Sequence, residues 1–136
     1  MGISVEWGNA EKTFVLQNFT PGWTWEDFYE SSKQSVSMIK SVDHIAHIVS
    51  DFRNSGALPV GSSITHARNV MKNYPDNWGI LVVVSDSLFI RSLVGAFRRL
   101  FAIGIGGKTF SVETMDEAHK LMATYLVKKK KQPITL

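Results

Sequence analysis

The chain has 136 residues, of which 44% are hydrophobic and 20% are charged, as expected for one globular domain with one hydrophobic core. It contains no cysteine, so disulfide scaffolds, thiol catalysis and cysteine-bound zinc are excluded. The formal net charge is +3, but four of the fifteen basic residues form the lysine run 128–131, and the remaining 11 basic and 12 acidic residues give −1. Because nucleic-acid-binding proteins carry their basic excess on a folded face, we expect no nucleic-acid partner.

Two segment types that direct proteins to membranes are missing from the sequence pattern. No stretch approaches the roughly 20 apolar residues that a transmembrane helix needs. Residues 1–11 lack the basic start and apolar run of a signal peptide. We therefore expect a cytoplasmic protein without a transmembrane segment, in which residues 1–127 form one domain and residues 128–136 form a flexible basic tail.

The first half of the chain predicts a hairpin, a helix and a further strand. Residues 3–7 and 13–19 are rich in strand-forming side chains and flank a turn. A helix is predicted over 24–40, with Thr24 as N-cap, Asp27 three residues on, and Trp23 packing against Phe28 across the first turn. Residues 45–52 predict the third strand.

The second half alternates helices and strands. A second helix begins at Ser62 or Ser63, and the unbroken apolar run 80–84 is typical of a central parallel strand covered on both faces. A third helix after residue 87 is apolar nearly all round, and we expect its arginines to mark its solvent side. Residues 108–112 predict the last strand, and Thr114 with Glu117 matches the start of a final helix.

This order, ββαβαβαβα, predicts an α/β domain. Because strands and helices alternate, we expect a mixed, mainly parallel five-stranded sheet layered with about four helices. No internal repeat or long linker divides it.

Two apparent motifs do not support a catalytic or metal site. The segment 102–109 is a degenerate match to a phosphate-binding loop, but it lies between a helix and a strand, whereas such loops run from a strand into a helix. His44 and His47 are three residues apart on a predicted strand, so they point to opposite faces and cannot share a metal. We expect no cofactor and no metal.

Polar residues cluster where two predicted strands end. In open α/β sheets, ligands bind at the carboxyl ends of the strands, and helix N-termini there favour an anion or a phosphorylated serine. The candidate binding or phosphorylation residues are Asp51, Arg53, Asn54, Ser55, Ser62, Ser63, Ser85, Asp86 and Ser87. The alternative is that these residues only cap helices and form turns, as Ser, Asp and Asn commonly do.

The two-strand start, the strand ending at Asp51, the serine-headed helix and the 82–84 valine strand together resemble the STAS family, which includes anti-sigma-factor antagonists and cytoplasmic domains of sulphate transporters. Residues 110–118 also resemble the final strand and helix of that family. Its signalling members carry Asp-Ser-Ser/Thr-Gly with a phosphorylated serine at the second helix. Here Ser62 and Ser63 match, whereas Gly61 replaces the aspartate and Ile64 the glycine. The resemblance implies a divergent, STAS-like fold and a non-enzymatic activity.

Three functions follow as hypotheses. The first is a non-catalytic interaction or regulatory module that binds a protein partner through the loop and N-terminus of the second helix. The second is a binder of a small apolar or lipid-like ligand between the helices and the sheet, suggested by the apolar third helix. The third is an enzyme with Asp51, Arg53, Ser85 and Asp86 at the strand ends. The apolar third helix also suggests a homodimer face, which is compatible with all three.

Overall fold

The computed structural model describes residues 2–131, with side chains through residue 125. Strands and helices alternate in the predicted order. The elements are β1 (Ile3–Trp7), β2 (Phe14–Phe19), α1 (Trp25–Lys40), β3 (Ala46–Asp51), α2 (Ser63–Met71), β4 (Trp78–Val84), α3 (Leu88–Leu100), β5 (Thr109–Val112) and α4 (Met115–Lys131). A short 3₁₀ turn, Ile105–Lys108, leads into β5.

The five strands form one sheet in the order β1-β2-β3-β4-β5. The hairpin pair β1 and β2 is antiparallel, and the remaining neighbours are parallel. Asp51 lies opposite Val84, and Val84 lies opposite Val112, so three parallel strands end at one edge of the sheet. The predicted α/β class and mainly parallel five-stranded sheet are confirmed.

Helices α1, α2 and α3 cover one face of the sheet. Each connects neighbouring parallel strands in the same direction along the sheet, and right-handed crossovers place such helices on a common side. The core on this side joins Ile48, Leu81 and Val83 of the strands to Met71 of α2 and Phe97 of α3.

Helix α4 covers the opposite face. Its Ala118 and Met122 pack with Val49 of β3 and with Ile80 and Val82 of β4. Every residue of β4 is buried, as the unbroken apolar run predicted, because this central strand has helices on both sides.

The start of α1 follows its local sequence. The Thr24 hydroxyl accepts from the Asp27 backbone N–H, and the Asp27 carboxylate accepts in return from the Thr24 N–H. This reciprocal capping satisfies two amides that the helix itself leaves unpaired. Trp23 lies 6.2 Å from Phe28 between ring centroids, so the predicted contact across the first turn is present.

The orientation of α3 differs from the predicted one. Arg91 pairs with Glu113, and Arg98 lies over the Phe110 ring at 4.4 Å, so both half-buried arginines pack toward β5. Leu88 and Phe89 instead face solvent. The expectation that the arginines mark the solvent side was therefore wrong for these two, because their long stems cover the edge strand β5 while their charged ends find partners.

Helix α4 continues into the lysine run that the sequence assigned to a tail. Its backbone is helical through Lys131, and residues 132–136 lie outside the described residues. The flexible tail therefore stays a prediction. Within the described part of the chain, no helix has both the length and the apolar character of a membrane span.

Candidate functional site

An apolar cavity of about 110 Å³ lies between the helices and the sheet near the carboxyl ends of β3 and β4. Its floor includes Leu81 and Val83 of β4, and its walls include Ala67 of α2 and Val94 of α3. Phe97 and the other buried lining residues lie deeper, whereas its half-buried lining residues face outward. We call this space the apolar cavity.

Leu58, Ser63 and Ile90 are half-buried lining residues near the starts of α2 and α3, and we call this partly exposed side of the apolar cavity the mouth. Two tryptophans, Trp23 and Trp25, add aromatic surface on the α1 side. Trp23 is buried, and Trp25 is half-buried. The site therefore opens at the edge of the sheet where the sequence placed a ligand site, but its walls are hydrophobic.

Three hydroxyl side chains, those of Ser50, Ser63 and Thr109, line the apolar cavity, and no charged side chain of the described residues does. Ser50 and Thr109 are buried, whereas Ser63 is half-buried. An ion that entered would exchange its hydration for an apolar wall, which is costly without an opposite charge. The arrangement fits a neutral, mostly apolar guest.

A chain of buried hydrogen bonds leads from the apolar cavity to α1. The Ser50 hydroxyl donates to the Gln17 side-chain carbonyl at 2.7 Å, and the Gln17 amide donates to the Ser35 hydroxyl at 2.8 Å. Ser35 in turn donates to the Ser31 backbone carbonyl at 2.8 Å. These polar side chains are buried but paired, so they satisfy the rule that buried polar groups find partners.

The segment before α2 is fastened to α1 by polar and aromatic contacts. Trp25 donates from Nε1 to the Val60 carbonyl at 2.9 Å and stacks on His66 at 4.1 Å. His66 also shares a hydrogen bond with the Tyr29 hydroxyl at 2.7 Å. Gly61, at φ +127°, allows the chain to pass beside Trp25 and His66. These contacts fix the position of the mouth relative to α1.

Asp51 and Arg53 form an ion pair at the end of β3. Arg53 donates from Nε to Oδ1 at 3.0 Å and from Nη2 to Oδ2 at 2.8 Å. This hydrogen bonding to Arg53 holds the pKa of the Asp51 carboxyl below its usual value, and in return it raises the pKa of Arg53. The Asp51 carboxylate and the Arg53 guanidinium thus bind each other, and this contact stabilises the turn after β3.

Of the remaining candidates at the two strand ends, the serines make local hydrogen bonds, whereas Asn54 and Asp86 are exposed. Asn54 is exposed, and buried Ser55 donates to the adjacent Gly56 carbonyl at 3.2 Å. Ser85 is buried and accepts from the Ser87 N–H at 3.1 Å, and Ser87 caps α3. Asp86 is exposed between them.

The structure places Asp51 and Ser85 at the same edge of the sheet but on opposite faces. Asp51 alternates with Val49 and lies opposite Val84, and both valines belong to the core beneath α4. Ser85 follows Val84 directly, so alternation turns it toward the other face. The four residues of the enzyme hypothesis are therefore not gathered into one cluster.

The two serines that head α2 have different environments. Ser62 is exposed and is the N-cap, accepting from the Thr65 N–H at 3.3 Å. Ser63 is half-buried and lines the mouth of the apolar cavity. The two positions are adjacent in sequence, but only Ser63 belongs to the apolar cavity.

Large apolar side chains lie exposed near the mouth. Val60, just before α2, is 98% exposed, and Leu88 and Phe89, at the start of α3, are 74% and 64% exposed. Leu88 and Phe89 are consecutive residues, so together they expose apolar surface at the start of α3.

Sequence reasoning did not find the most informative residues of the site. In the sequence, Ser50 and Gln17 look like ordinary strand residues and Ser35 like an ordinary helix residue, because nothing in a single sequence shows that they converge. Trp23 was predicted only to pack against the first turn of α1, whereas it also lines the apolar cavity. The one available signal was a polar residue at an inward position of an otherwise apolar strand, as at Ser50.

Comparisons with protein-family models, curated proteins and solved structures found no match to this chain. The resemblance to the STAS family therefore stays a prediction. Within the described residues, no group of three or more His, Asp or Glu side chains could hold a metal ion. What the fold and site define is an α/β domain with an apolar cavity at the carboxyl edge of its sheet.

Proposed function

We propose that this protein binds a small apolar ligand, or the apolar part of a larger one, in the apolar cavity. The observation that carries the proposal is the unfilled space of about 110 Å³ between α2, α3 and the sheet. An engineered cavity of roughly 150 Å³ lined by similar side chains takes up benzene. The space here is about three quarters of that volume, so it suits part of a short alkyl chain, with the remainder of the chain at the partly exposed mouth.

The position of the cavity supports the same function. Protein interiors are normally packed to the density of organic crystals, so an unfilled space lined by hydrophobic side chains lacks dispersion contacts that a guest would supply. The half-buried mouth at Leu58, Ser63 and Ile90 gives a guest a route inward. Exposed Val60, Leu88 and Phe89 stand close in sequence to the lining residues Ser63 and Ile90, so apolar surface is also present outside the cavity.

Filling the cavity tests the proposal. Ala67→Leu places three additional carbons in the wall of the apolar cavity, whereas Ala123→Leu makes the same change at an exposed site of α4. We expect Ala67→Leu to weaken binding of 1-hexanol at least tenfold in isothermal titration calorimetry, and Ala123→Leu to leave it unchanged. Native mass spectrometry of the purified protein is expected to show a co-purified apolar molecule in wild type that Ala67→Leu lacks.

The proposal fails if wild type binds none of the small apolar probes and carries no such molecule. It also fails if Ala67→Leu and Ala123→Leu bind 1-hexanol equally well while both remain folded. Both variants keep the charge of the chain, so a difference between them reports on the volume of the apolar cavity.

A second candidate function is the STAS-like regulatory module that the sequence suggested, with a protein partner at the start of α2. The observation that favours it is the exposed N-cap Ser62 beside exposed Val60. A phosphate on Ser62 would lie at the positive end of α2, where backbone N–H groups favour an anion. We expect Ser62→Glu to alter retention of a partner from native lysate relative to Ser62→Ala, with Ser92→Glu as a control on exposed α3 surface. Unmodified Ser62 in protein from native cells, with identical retention by all variants, would exclude this function.

A further inference from the structure

The buried hydrogen-bond chain beneath the apolar cavity has a fixed direction. A backbone carbonyl can only accept, so the Ser35 hydroxyl, which bonds the Ser31 carbonyl, uses its single proton there. Ser35 must then accept from Gln17, which places the Gln17 amide nitrogen toward Ser35 at 2.8 Å. The Gln17 carbonyl oxygen consequently faces Ser50 at 2.7 Å. The orientation of the Gln17 side-chain amide therefore follows from these hydrogen bonds.

The direction of these hydrogen bonds decides whether the Ser50 hydroxyl can donate to a guest or only accept from it. The Ser50 proton is committed to Gln17, so the oxygen that Ser50 presents at the apolar cavity has only acceptor capacity left. Such an oxygen can bind a hydroxyl or an N–H of a guest. It cannot bind a carbonyl, an ether or an ionised carboxylate.

The wall near Ser50 also contains a buried donor. Trp23 lines the apolar cavity, and its indole Nε1–H is buried without an acceptor among the described residues. Its ring packs against Phe52, 6.0 Å away, and Phe52 lies two residues beyond Ser50 on the same strand path. A buried donor without a partner is costly, so an oxygen atom in this part of the apolar cavity is favoured.

Thr109 occupies a different part of the apolar cavity. Its hydroxyl donates to the Ile105 carbonyl at 2.8 Å. Thr109 lies two strands and two register positions from Ser50, a separation of roughly 12 Å from the standard strand spacing and rise. One small polar group therefore cannot bind both Ser50 and Thr109, and the third hydroxyl, that of Ser63, is half-buried at the mouth. Ser50 is the hydroxyl whose strand leads to Phe52, against which Trp23 packs.

We propose that the apolar cavity selects a neutral apolar alcohol, whose hydroxyl donates to Ser50 Oγ and accepts from Trp23 Nε1–H. The inference rests on the ligand-binding function proposed above and names the ligand class of the same site. A hydroxyl is the small neutral group that both donates and accepts, whereas an ether only accepts. An ionised carboxylate only accepts and meets no positive side chain among the described lining residues.

Three probes of matched size test the selection on the full chain at pH 7. They are 1-hexanol, its isomer 1-methoxypentane, which lacks the donor, and hexanoate, which is ionised. Isothermal titration calorimetry is expected to show 1-hexanol binding about three- to tenfold tighter than the ether, as for one hydrogen bond gained. Hexanoate is expected to bind more weakly than either.

Substitution of the acceptor isolates its role. Ser50→Ala is expected to bring the affinity for 1-hexanol down to that for 1-methoxypentane, while the affinity for the ether stays within about twofold of wild type, given one lost hydrogen bond. The ether therefore also reports whether the variant is folded with an intact cavity. Thr109→Val, a control of similar shape at the distant hydroxyl, is expected to keep the preference for the alcohol.

The outcomes separate this inference from the function on which it rests. If the ether or hexanoate binds as tightly as 1-hexanol, or if Ser50→Ala keeps the preference, the selection of an alcohol through Ser50 is wrong while ligand binding stands. The selection through Ser50 is also wrong if Thr109→Val abolishes the preference. If none of the three probes binds, the ligand-binding function itself fails.

Discussion

His47 is a buried histidine whose protonation in mild acid opposes folding. It lies in β3 on the α4 face, accepts at Nδ1 from the Ile80 N–H at 3.1 Å, and packs edge-on against Tyr125. A Cβ built on Gly79 would lie 2.2 Å from Nδ1, so glycine is needed there to admit the ring. Burial, and secondarily the charge of Lys108, lower the pKa of His47 from 6.5 to about 4.

This lowered pKa predicts loss of stability in mild acid. In the unfolded chain His47 binds its proton near pH 6.5, whereas in the folded protein it does so only near pH 4. The free energy of unfolding that depends on neutral His47 is therefore fully present above pH 6.5 and falls as the pH drops toward 4. The slope is up to about 1.4 kcal/mol per pH unit over that interval. Urea unfolding between pH 7 and pH 4.5 measures it.

His47→Gln provides the control for this prediction. Glutamine keeps an acceptor for the Ile80 N–H but does not titrate, so the variant is expected to lose most of the slope between pH 6.5 and pH 4.5. Arg53 holds the pKa of the Asp51 carboxyl below its usual value, so this group titrates at a lower pH than the interval compared. An unchanged slope in His47→Gln would show that another group is responsible.

At the scale of single elements, local sequence predicted helix starts better than helix orientation. Thr24 with Asp27 caps α1 reciprocally, and the Thr114 hydroxyl accepts from the Glu117 N–H at the start of α4, both as expected. Caps depend on residues three apart, so a local pattern suffices. The direction in which Arg91 and Arg98 point depends on β5, which a local pattern does not contain.

The cap of α2 gives a prediction at this scale. Ser62→Ala removes the hydroxyl that accepts from the Thr65 N–H, so we expect the free energy of unfolding to fall by about 1 kcal/mol. Ser37→Ala, at an exposed position inside α1, removes no cap and is expected to change it by less than about 0.5 kcal/mol. Thermal or urea unfolding compares them. Equal effects of the two substitutions would mean that the cap contributes little.

At the scale of the whole molecule, the sheet is covered unequally, by α1, α2 and α3 on one face and by α4 on the other. The buried strand β4 depends on both layers. Ala118 of α4 is fully buried against this second face. Helix α4 therefore packs behind the strand that forms the floor of the apolar cavity, and we expect its docking to stabilise the whole domain.

Breaking that docking should destabilise the entire domain. Ala118→Asp would bury an unpaired carboxylate against β4, so we expect a loss of about 3–5 kcal/mol in urea unfolding. Ala123→Asp, on the exposed side of the same helix, is expected to cost less than about 0.5 kcal/mol. A cooperative loss in one transition would show that both layers unfold together. A similar small effect of both substitutions would contradict the role assigned to α4.

The sequence alone determined the order of elements, the buried central strand and the capped helix starts, because these depend on residues close together in the chain. The tertiary structure decided the apolar cavity, which is the space left between α2 and α3 when they pack on β3 and β4. It also decided the role of Ser50, because the hydrogen bonds that orient its hydroxyl join residues 17, 35 and 50. Contacts between residues so far apart are set by packing, which no local pattern records.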